Sequence, residues 1–350
     1  MSQWRIATKQ WTKFFFSMIT RLLPLNMVRA LFESSMEALH HRGPDFITRR
    51  TFSKSRDKSP QHVLDPIFPR PQKLIGIILQ GPLILQDDFT LETVKYYLSI
   101  QPQVRVIVST WESENSKTLA LLKKLGAEVV LNQMPSVSGR SNVNRQSIST
   151  LEGVRKAKEL GCYMVAKTRS DQRVNSLSAL MSLPIYLEIF PISKYITSRK
   201  RLVALSFGTY KWTPFFLSDQ FMFGMTDDMI AYWEAPMDTE TYHWRNEILM
   251  ETATIHEYAK RSPEYYLLMA YLEKYNIKSD YTVLDWWQVL AEYFIIVDRA
   301  WLDIYWPKYS PFEERPELIH DNHKNFQSIN HADWLIIYNS KTLKQVFSLD

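Results

Sequence analysis

A carboxylate lies between two arginines directly after an apolar run in the middle of the chain. Asp171 follows the run Tyr163–Lys167 within four residues, and Arg169 and Arg173 flank it. An aspartate at a strand end is suited to hold Mg²⁺ or Mn²⁺, and guanidinium groups can bind a diphosphate through paired hydrogen bonds. The alternative is a structural Asp–Arg pair in a loop. Ser170-Asp171-Gln172 is not a specific motif by itself, so both interpretations stay open.

Two further carboxylates are candidates for proton transfer. Asp219, followed by Gln220, precedes the apolar run Phe221–Gly224 and can bind an acceptor, accept its proton or cap a turn. Glu264 stands in the first turn of a helix that Ser262 and Pro263 are expected to open and that extends to about Tyr275. An acidic residue there either complements the helix dipole or serves as a base.

Alternating strands and helices are predicted to position these residues. The predicted strands are Leu74–Leu79, Val104–Ser109, Glu128–Leu131 and Tyr163–Lys167, and the predicted helices are Thr90–Ser99, Ser116–Leu125 and Gln146–Leu160. A βαβαβαβ order predicts an α/β fold with a mainly parallel sheet covered by helices. Residues 73–350 are expected to form this domain.

Ligands of open α/β sheets bind beyond the carboxyl ends of the strands, so the polar residues there are candidates for substrate binding. Trp111 either stacks on a nucleobase or belongs to the core. The full candidate set is Gln80, Gly81, Thr110, Trp111, Glu112, Asn142, Asn144, Arg145, Arg169, Arg173 and Gln220.

Composition excludes several classes of protein. Only 9 of 350 residues are glycine, and neither a Gly-x-Gly-x-x-Gly fingerprint nor a P-loop occurs, which argues against classical nicotinamide binding and Walker-type ATP binding. The single cysteine, Cys162, excludes a disulfide framework. Residues 1–72 hold 12 Lys and Arg against 5 Asp and Glu, while the remainder holds 30 against 32. The basic charge therefore belongs to the N-terminal segment, and nucleic-acid binding by the body is not expected.

The N-terminal segment is predicted to form a basic amphipathic helical extension over residues 1–40, followed by a linker over residues 41–72. Apolar residues from Trp11 to Leu23 recur at helical spacing, and Lys9, Lys13 and Arg21 lie on the opposite face. Such a helix suits the surface of an anionic membrane, and the alternative is docking on the body of the protein.

Six segments, in this order, resemble the WavE family of lipopolysaccharide-synthesis proteins, which has a GT-A-like, Rossmann-like fold. They are Ile78–Pro82, Ser109–Glu112, Asn142–Gln146 running into Ser149-Thr150, Lys167–Arg173, Leu217–Gly224 and Ser262–Glu264. The resemblance implies a glycosyltransferase that moves a sugar from a nucleotide-sugar donor to a glycan or glycolipid acceptor. GT-A enzymes commonly carry an Asp-x-Asp motif for a metal, and this chain has only one aspartate there, Asp171.

The resulting hypothesis is a cytoplasmic enzyme, peripheral on the inner face of the cytoplasmic membrane. Asp171 would act through Mg²⁺ or Mn²⁺, and Asp219 or Glu264 would accept the proton of the acceptor hydroxyl. Two alternatives remain. A nucleotidyltransferase or phosphosugar transferase would keep the same residues but release a different product, and a non-catalytic glycan-binding or assembly protein would not need Asp171 with its two arginines.

Overall fold

The computed structural model describes residues 73–192, 200–241, 259–306 and 327–340. The predicted helical extension and linker therefore lie outside the described residues. All candidate site residues lie inside them. Within the described part of the chain, no helix is long and apolar enough to cross a membrane.

The first half of the domain alternates strands with helices, as predicted. Its elements are β1 Ile75–Gln80, α1 Phe89–Leu98, β2 Val104–Trp111, α2 Ser116–Leu125, β3 Glu128–Asn132, α3 Val143–Glu159 and β4 Met164–Arg169. Helix α3 begins three residues earlier than expected, so Asn144 lies in its first turn and not in a loop. Strand β2 continues through Trp111, two residues beyond the predicted end.

The second half adds short strands and several helices. They are β5 Arg173–Val174, α4 Leu177–Ile189, β6 Leu202–Leu205, β7 Met222–Met225, α5 Thr226–Trp233, α6 Pro263–Lys274, α7 Val283–Tyr293, β8 Phe294–Val297, α8 Arg299–Leu302, β9 Ile304–Tyr305 and α9 His331–Asn339. Strands β5 and β9 form a separate antiparallel pair.

Seven strands form one mixed sheet in the order β3-β2-β1-β4-β7-β6-β8. Strands β1 to β4 are mutually parallel, and β6 is parallel to β8. Strand β7 is antiparallel to both of its neighbours, β4 and β6. The predicted α/β class with a mainly parallel sheet covered by helices is confirmed. Because β7 is reversed, the residues that precede it lie at the sheet edge where β1, β2 and β4 end.

Local sequence explains how the elements begin and end. Strand β1 is buried along its whole length, as expected for a central strand covered on both faces. Helix α2 is capped by Asn115, whose side chain accepts a hydrogen bond from the backbone of Thr118. Helix α2 ends at Gly126 in the left-handed conformation. Ser262 caps α6 as predicted, accepting a hydrogen bond from the Tyr265 backbone.

Helix α3 packs unusually close to the sheet because of a glycine. A Cβ atom at Gly153 would lie 2.6 Å from a methyl carbon of Ile78 on β1 and 3.1 Å from the Cβ of Ser109 on β2. Only a residue without a side chain permits this approach. The close packing fixes the position of α3, whose first two turns carry Asn144, Arg145 and Gln146 to the edge of the sheet.

Candidate functional site

The candidate site lies at the edge where β1, β2 and β4 end and where the chain enters β7. Gln80 pairs with both Ser109 and Arg169 in the parallel register, so β1 and β4 end at the same level and β2 continues two residues further. Lys167 of β4 pairs with Met222, the first residue of β7. This register brings Asp219 and Gln220 close to the end of β4.

Asp219 is held from two directions. Nε2 of Gln146 on α3 donates a hydrogen bond of 2.7 Å to Oδ2 of Asp219. Nζ of Lys167 on β4 donates a hydrogen bond to the main-chain oxygen of Asp219. Its other carboxylate oxygen, Oδ1, accepts no hydrogen bond from a described residue, and Asp219 keeps 6% of its surface exposed. One oxygen is thus fixed and the other is available.

Lys167 is a fully buried lysine in the central part of the sheet. Its ammonium lies 4.7 Å from the centre of the Trp233 ring, over the ring face. Burial lowers the pKa of Lys167 from its ordinary 10.5 to about 7, because the charged form loses its hydration, and the nearby charge of Asp219 partly opposes this effect. The charges of Asp171 and Glu264 oppose it further.

Glu264 lies in the first turn of α6 and is half-buried. The charges of Glu264 and Asp219 both act on Lys167, and both contribute to raising the pKa of Tyr232, for which burial is the main cause. The structure therefore brings the two predicted catalytic carboxylates into electrostatic contact with the same buried lysine. The phenol oxygen of Tyr232 is buried and has no hydrogen-bond partner among the described residues.

Asp171 forms a two-pronged ion pair with Arg169. Nε of Arg169 lies 2.8 Å from Oδ1 of Asp171, and Nη2 lies 3.0 Å from Oδ2. The indole N–H of Trp306 donates to the same Oδ2 at 3.1 Å, and the guanidinium lies over the Trp306 ring. Burial alone would raise the pKa of Asp171, but the Arg169 guanidinium and the Trp306 hydrogen bond outweigh it, so its pKa lies below 3.8.

The carboxylate of Asp171 in this arrangement does not fit a metal ion. Both of its oxygens already face a guanidinium, and a cation would have to displace Arg169 to reach them. Among the described residues, no three or more His, Cys, Asp or Glu side chains gather as metal ligands. Asp171 is therefore not assigned as a metal ligand.

Arg173 points away from Asp171. Its Nε donates a hydrogen bond of 2.9 Å to the hydroxyl of Thr93 on α1, and its guanidinium lies over the Phe89 ring. The pair Arg169 and Arg173 is thus not arranged as a single diphosphate-binding clamp. Arg173 instead connects the end of β4 to α1.

Thr110 and Asn144 use their polar groups inside the protein. The Thr110 hydroxyl donates to Glu114, which also accepts from the backbone N–H of Leu83. Asn144 donates to the main-chain oxygens of Val137 and Asp238, and its own side-chain oxygen accepts from the Asp238 backbone. Both side chains hold the loops that surround the edge of the sheet.

Arg140 and Asp238 form a partly buried ion pair beside α3. Nε of Arg140 lies 2.7 Å from Oδ2 of Asp238, whose side chain is 3% exposed. Burial alone would raise the pKa of Asp238, but the hydrogen bonds from Arg140 lower it below 3.8. This pair attaches the loop before α3 to the segment after α5. Asn142 and Arg145, at the start of α3, are exposed beside it.

The remaining predicted residues lie at the same edge but differ in exposure. Glu112 is exposed, Gln220 is partly exposed, and Trp111 is buried. Gly81 adopts a φ of 114°, a conformation that favours glycine, where the chain leaves β1. A group of buried side-chain oxygens here has no hydrogen-bond partner among the described residues: Gln80 Oε1, Thr168 Oγ1, Gln172 Oε1 and Ser218 Oγ.

Sequence reasoning missed Lys167, Gln146 and Trp306 as site residues. A lysine within the apolar run of β4 is a signal that the sequence does contain, because a buried lysine is rare without a partner. Gln146 lies in a segment already singled out, but only the packing of α3 shows that it reaches Asp219. No spacing rule connects Trp306 with Asp171, which is 135 residues away in the chain.

The comparison with protein families gives one match. The family model described as WavE lipopolysaccharide synthesis matches residues 75–348, well over half of the chain. No curated protein matches this chain.

Several solved structures match this chain at low similarity. A 4-diphosphocytidyl-2C-methyl-D-erythritol synthase from Anaerococcus prevotii has 10% identity and a TM-score of 0.35, covering 65% of this chain and 89% of that one. A glucosyl-3-phosphoglycerate synthase from Mycobacterium tuberculosis, solved with Mn²⁺, UDP and glucosyl-3-phosphoglycerate, has 11% identity and a TM-score of 0.30, covering 60% and 82%. These similarities are too low to carry a substrate from either protein to this chain.

Proposed function

The chain belongs to the WavE family of lipopolysaccharide synthesis, and we propose that it is a glycosyltransferase. It would transfer a sugar from a nucleotide-sugar donor to a lipopolysaccharide or another surface glycan. The site would be the edge formed by the ends of β1, β2 and β4 and by the residues before β7. Ligands of open α/β sheets bind at this kind of edge.

The geometry of Asp219 carries the proposal. A general base needs one oxygen free to meet the proton and a fixed orientation. Gln146 holds Oδ2 at 2.7 Å, while Oδ1 accepts no hydrogen bond from a described residue. We assign Asp219 the role of accepting the proton of the acceptor hydroxyl. Glu264, which shares the electrostatic surroundings of Lys167, would influence the same charge balance.

The donor would bind along the remaining part of the edge. The exposed Glu112 would face the nucleoside, and the buried Gln80 and Gly81 would lie beneath it at the ends of β1 and β2. The diphosphate would lie near Arg169 and the start of α3, where Arg145 is exposed and the positive end of the helix dipole favours an anion. Stabilising the charge that develops on the leaving diphosphate lowers the barrier to transfer.

Four candidate residues would support the site without contacting the donor: Thr110, Trp111, Asn144 and Arg173. Each is buried or engaged in hydrogen bonds with its own chain. They would keep the surrounding loops in place for the donor. Gln220, which accepts a hydrogen bond of 3.1 Å from Gln172, would support the chain beside Asp219.

We also propose that residues 1–40 attach the protein to a membrane surface, because the basic charges and the apolar stripe of that segment lie on opposite faces of a predicted helix. Deletion of residues 1–30 should move the protein from the membrane fraction to the supernatant. An unchanged distribution would contradict this part of the proposal.

Thermal unfolding in the presence of nucleotides tests the proposed function. UDP, GDP, ADP and CMP are each added at millimolar concentration, and a nucleotide at 100 times its dissociation constant should stabilise the fold by about 2.7 kcal/mol. We expect one nucleotide to raise the midpoint of unfolding, and Arg145→Met to weaken that shift. Lys123→Met, at an exposed position on α2, is the control. No shift with any nucleotide would favour the binding or assembly alternative.

A further inference from the structure

Lys167 occupies a place where an apolar residue would be expected. It lies on β4 between β1 and β7, paired with Ile78 on one side and Met222 on the other, and it is fully buried. Burying an ammonium group costs free energy that an apolar side chain of similar volume would not. The residue therefore needs an explanation beyond packing.

Lys167 contacts the segment before β7 through a hydrogen bond and helix α5 through an aromatic ring. Among the described residues, its Nζ makes one hydrogen bond, to the main-chain oxygen of Asp219. The Trp233 ring lies 4.7 Å away on α5 and shields the ammonium from water. The ammonium thus donates one of its three N–H groups to the main-chain carbonyl of Asp219, a predicted catalytic residue.

We propose that Lys167 is a positioning residue for the transfer reaction, whose buried ammonium fixes the main chain of Asp219 so that its free oxygen meets the acceptor hydroxyl. The proposal rests on the proposed function, because it takes Asp219 as the base. Lys167 does not touch substrate, since no part of it is exposed. It acts from beneath the site, while Gln146 orients the carboxylate itself.

Protonation of Lys167 should control this contact. The charged groups that act on it are Asp219 before β7, Arg169 and Asp171 at the end of β4, and Glu264 on α6, and the buried Tyr232 of α5 lies near the same two carboxylates. Burial brings the pKa of Lys167 to about 7. A hydrogen bond from the ammonium is stronger than one from the neutral amine. Asp219 should therefore be held firmly below that pH and less firmly above it.

The test compares Lys167→Met with the surface control Lys123→Met in the full chain. Hydrogen exchange is measured for the peptide that contains residues 217–221. Turnover is measured as nucleotide release from UDP-glucose, GDP-mannose, ADP-glucose and CMP-N-acetylneuraminate in the presence of a surface-glycan acceptor. We expect faster exchange at 217–221 in Lys167→Met only, and a fall in kcat of about 10²-fold with little change in KM for the donor. The wild-type kcat should also fall as pH rises through about 7, and the kcat of Lys167→Met should not show this fall.

The outcomes separate the two proposals. Unchanged exchange at 217–221 in a folded Lys167→Met variant would overturn the positioning role, whatever the turnover shows. Faster hydrogen exchange in Lys167→Met would support the positioning of Asp219 by Lys167 even if the wild type turns over no donor. Absence of turnover by the wild type would count against the proposed transferase. If Lys167→Met does not fold, hydrogen exchange of the wild-type protein is measured as a function of pH instead. After correction for intrinsic exchange rates, the protection of residues 217–221 against exchange must fall above about pH 7. Protection that stays constant across this pH would overturn the proposal.

Discussion

Gln146 and Asp219, 73 residues apart in the chain, meet through a hydrogen bond of 2.7 Å between Nε2 and Oδ2. The contact joins the second turn of α3 to the segment that enters the reversed strand β7. It depends on the close packing of α3 at Gly153 and on the direction of β7. Two features far apart in the sequence thus orient one carboxylate.

Gln146→Leu should impair turnover while keeping the fold. The substitution removes the donor that orients Asp219, and losing a hydrogen bond to a charged group costs about 1.5–3 kcal/mol of stability. Urea unfolding measures the stability, and nucleotide release measures the activity. We expect kcat to fall at least about tenfold, the loss that accompanies misplacement of a reacting group. A variant with unchanged kcat would show that the orientation of Asp219 is irrelevant to the reaction.

Asp171→Asn should change the acid stability of the protein in a defined direction. The pKa of Asp171 is lowered in the folded state, so its charged form contributes stability above about pH 4, and this contribution is lost as pH falls through the folded pKa. The difference in free energy of unfolding between wild type and variant should be constant near neutral pH and shrink below about pH 4. Urea titrations from pH 3 to pH 7 measure it. A difference that does not change over this range would contradict the ion pair with Arg169.

Lys167 should make the free energy of unfolding depend on pH on the alkaline side, between about pH 7 and pH 10.5. Its pKa is about 7 in the folded protein and 10.5 in the unfolded chain, so the unfolded chain binds more protons between these values. Stability should therefore rise with pH across this window, by at most about 1.4 kcal/mol per pH unit. Lys167→Met should lack this rise. If wild type and variant gain equal stability between pH 7 and pH 10, the ammonium is not buried as described.

Asp238→Ala should destabilise the loop that precedes α3. The substitution leaves the Arg140 guanidinium without its carboxylate, and losing a hydrogen bond between charged groups costs about 1.5–3 kcal/mol. Thermal unfolding gives the stability. The rate of hydrogen exchange of residues 136–142 should also increase more in Asp238→Ala than the rate of hydrogen exchange of β1. The exposed pair Arg155 and Glu152 on α3 provides the matched control, because Glu152→Ala should cost at most about 1 kcal/mol. Equal costs for the two substitutions would contradict the structural role of Asp238.

Much of the first half of the fold could be predicted, because three buried strands and the partly exposed edge strand β3 alternate with helices that carry clear end signals such as Gly126 and Gly161. The direction of β7 could not. A four-residue apolar run has no feature that distinguishes a parallel from an antiparallel neighbour. That direction nevertheless places Asp219 beside Lys167.

The gathering of polar residues at one edge of the sheet was predictable, but their contacts were not. The polar residues at strand ends do lie at one edge, as the rule for parallel sheets requires. The partners of Arg169 and Arg173 depend on Trp306 and on Thr93, whose positions come from packing of distant segments. Side-chain direction at a loop is decided by such packing, so two arginines that flank one aspartate in sequence need not bind the same group.

Nucleotide release by wild type and Asp219→Asn, measured side by side on the same panel of nucleotide sugars with a surface-glycan acceptor, tests the central claim most directly. Asn keeps the volume of the side chain and an oxygen for Gln146, so the variant should remain folded and bind the donor. The account predicts release of a free nucleotide from one donor by the wild type and a loss of about 10²–10⁴-fold in the variant. Equal rates for the two proteins, or release of a nucleoside monophosphate instead of the diphosphate from a UDP-, GDP- or ADP-sugar, would contradict it.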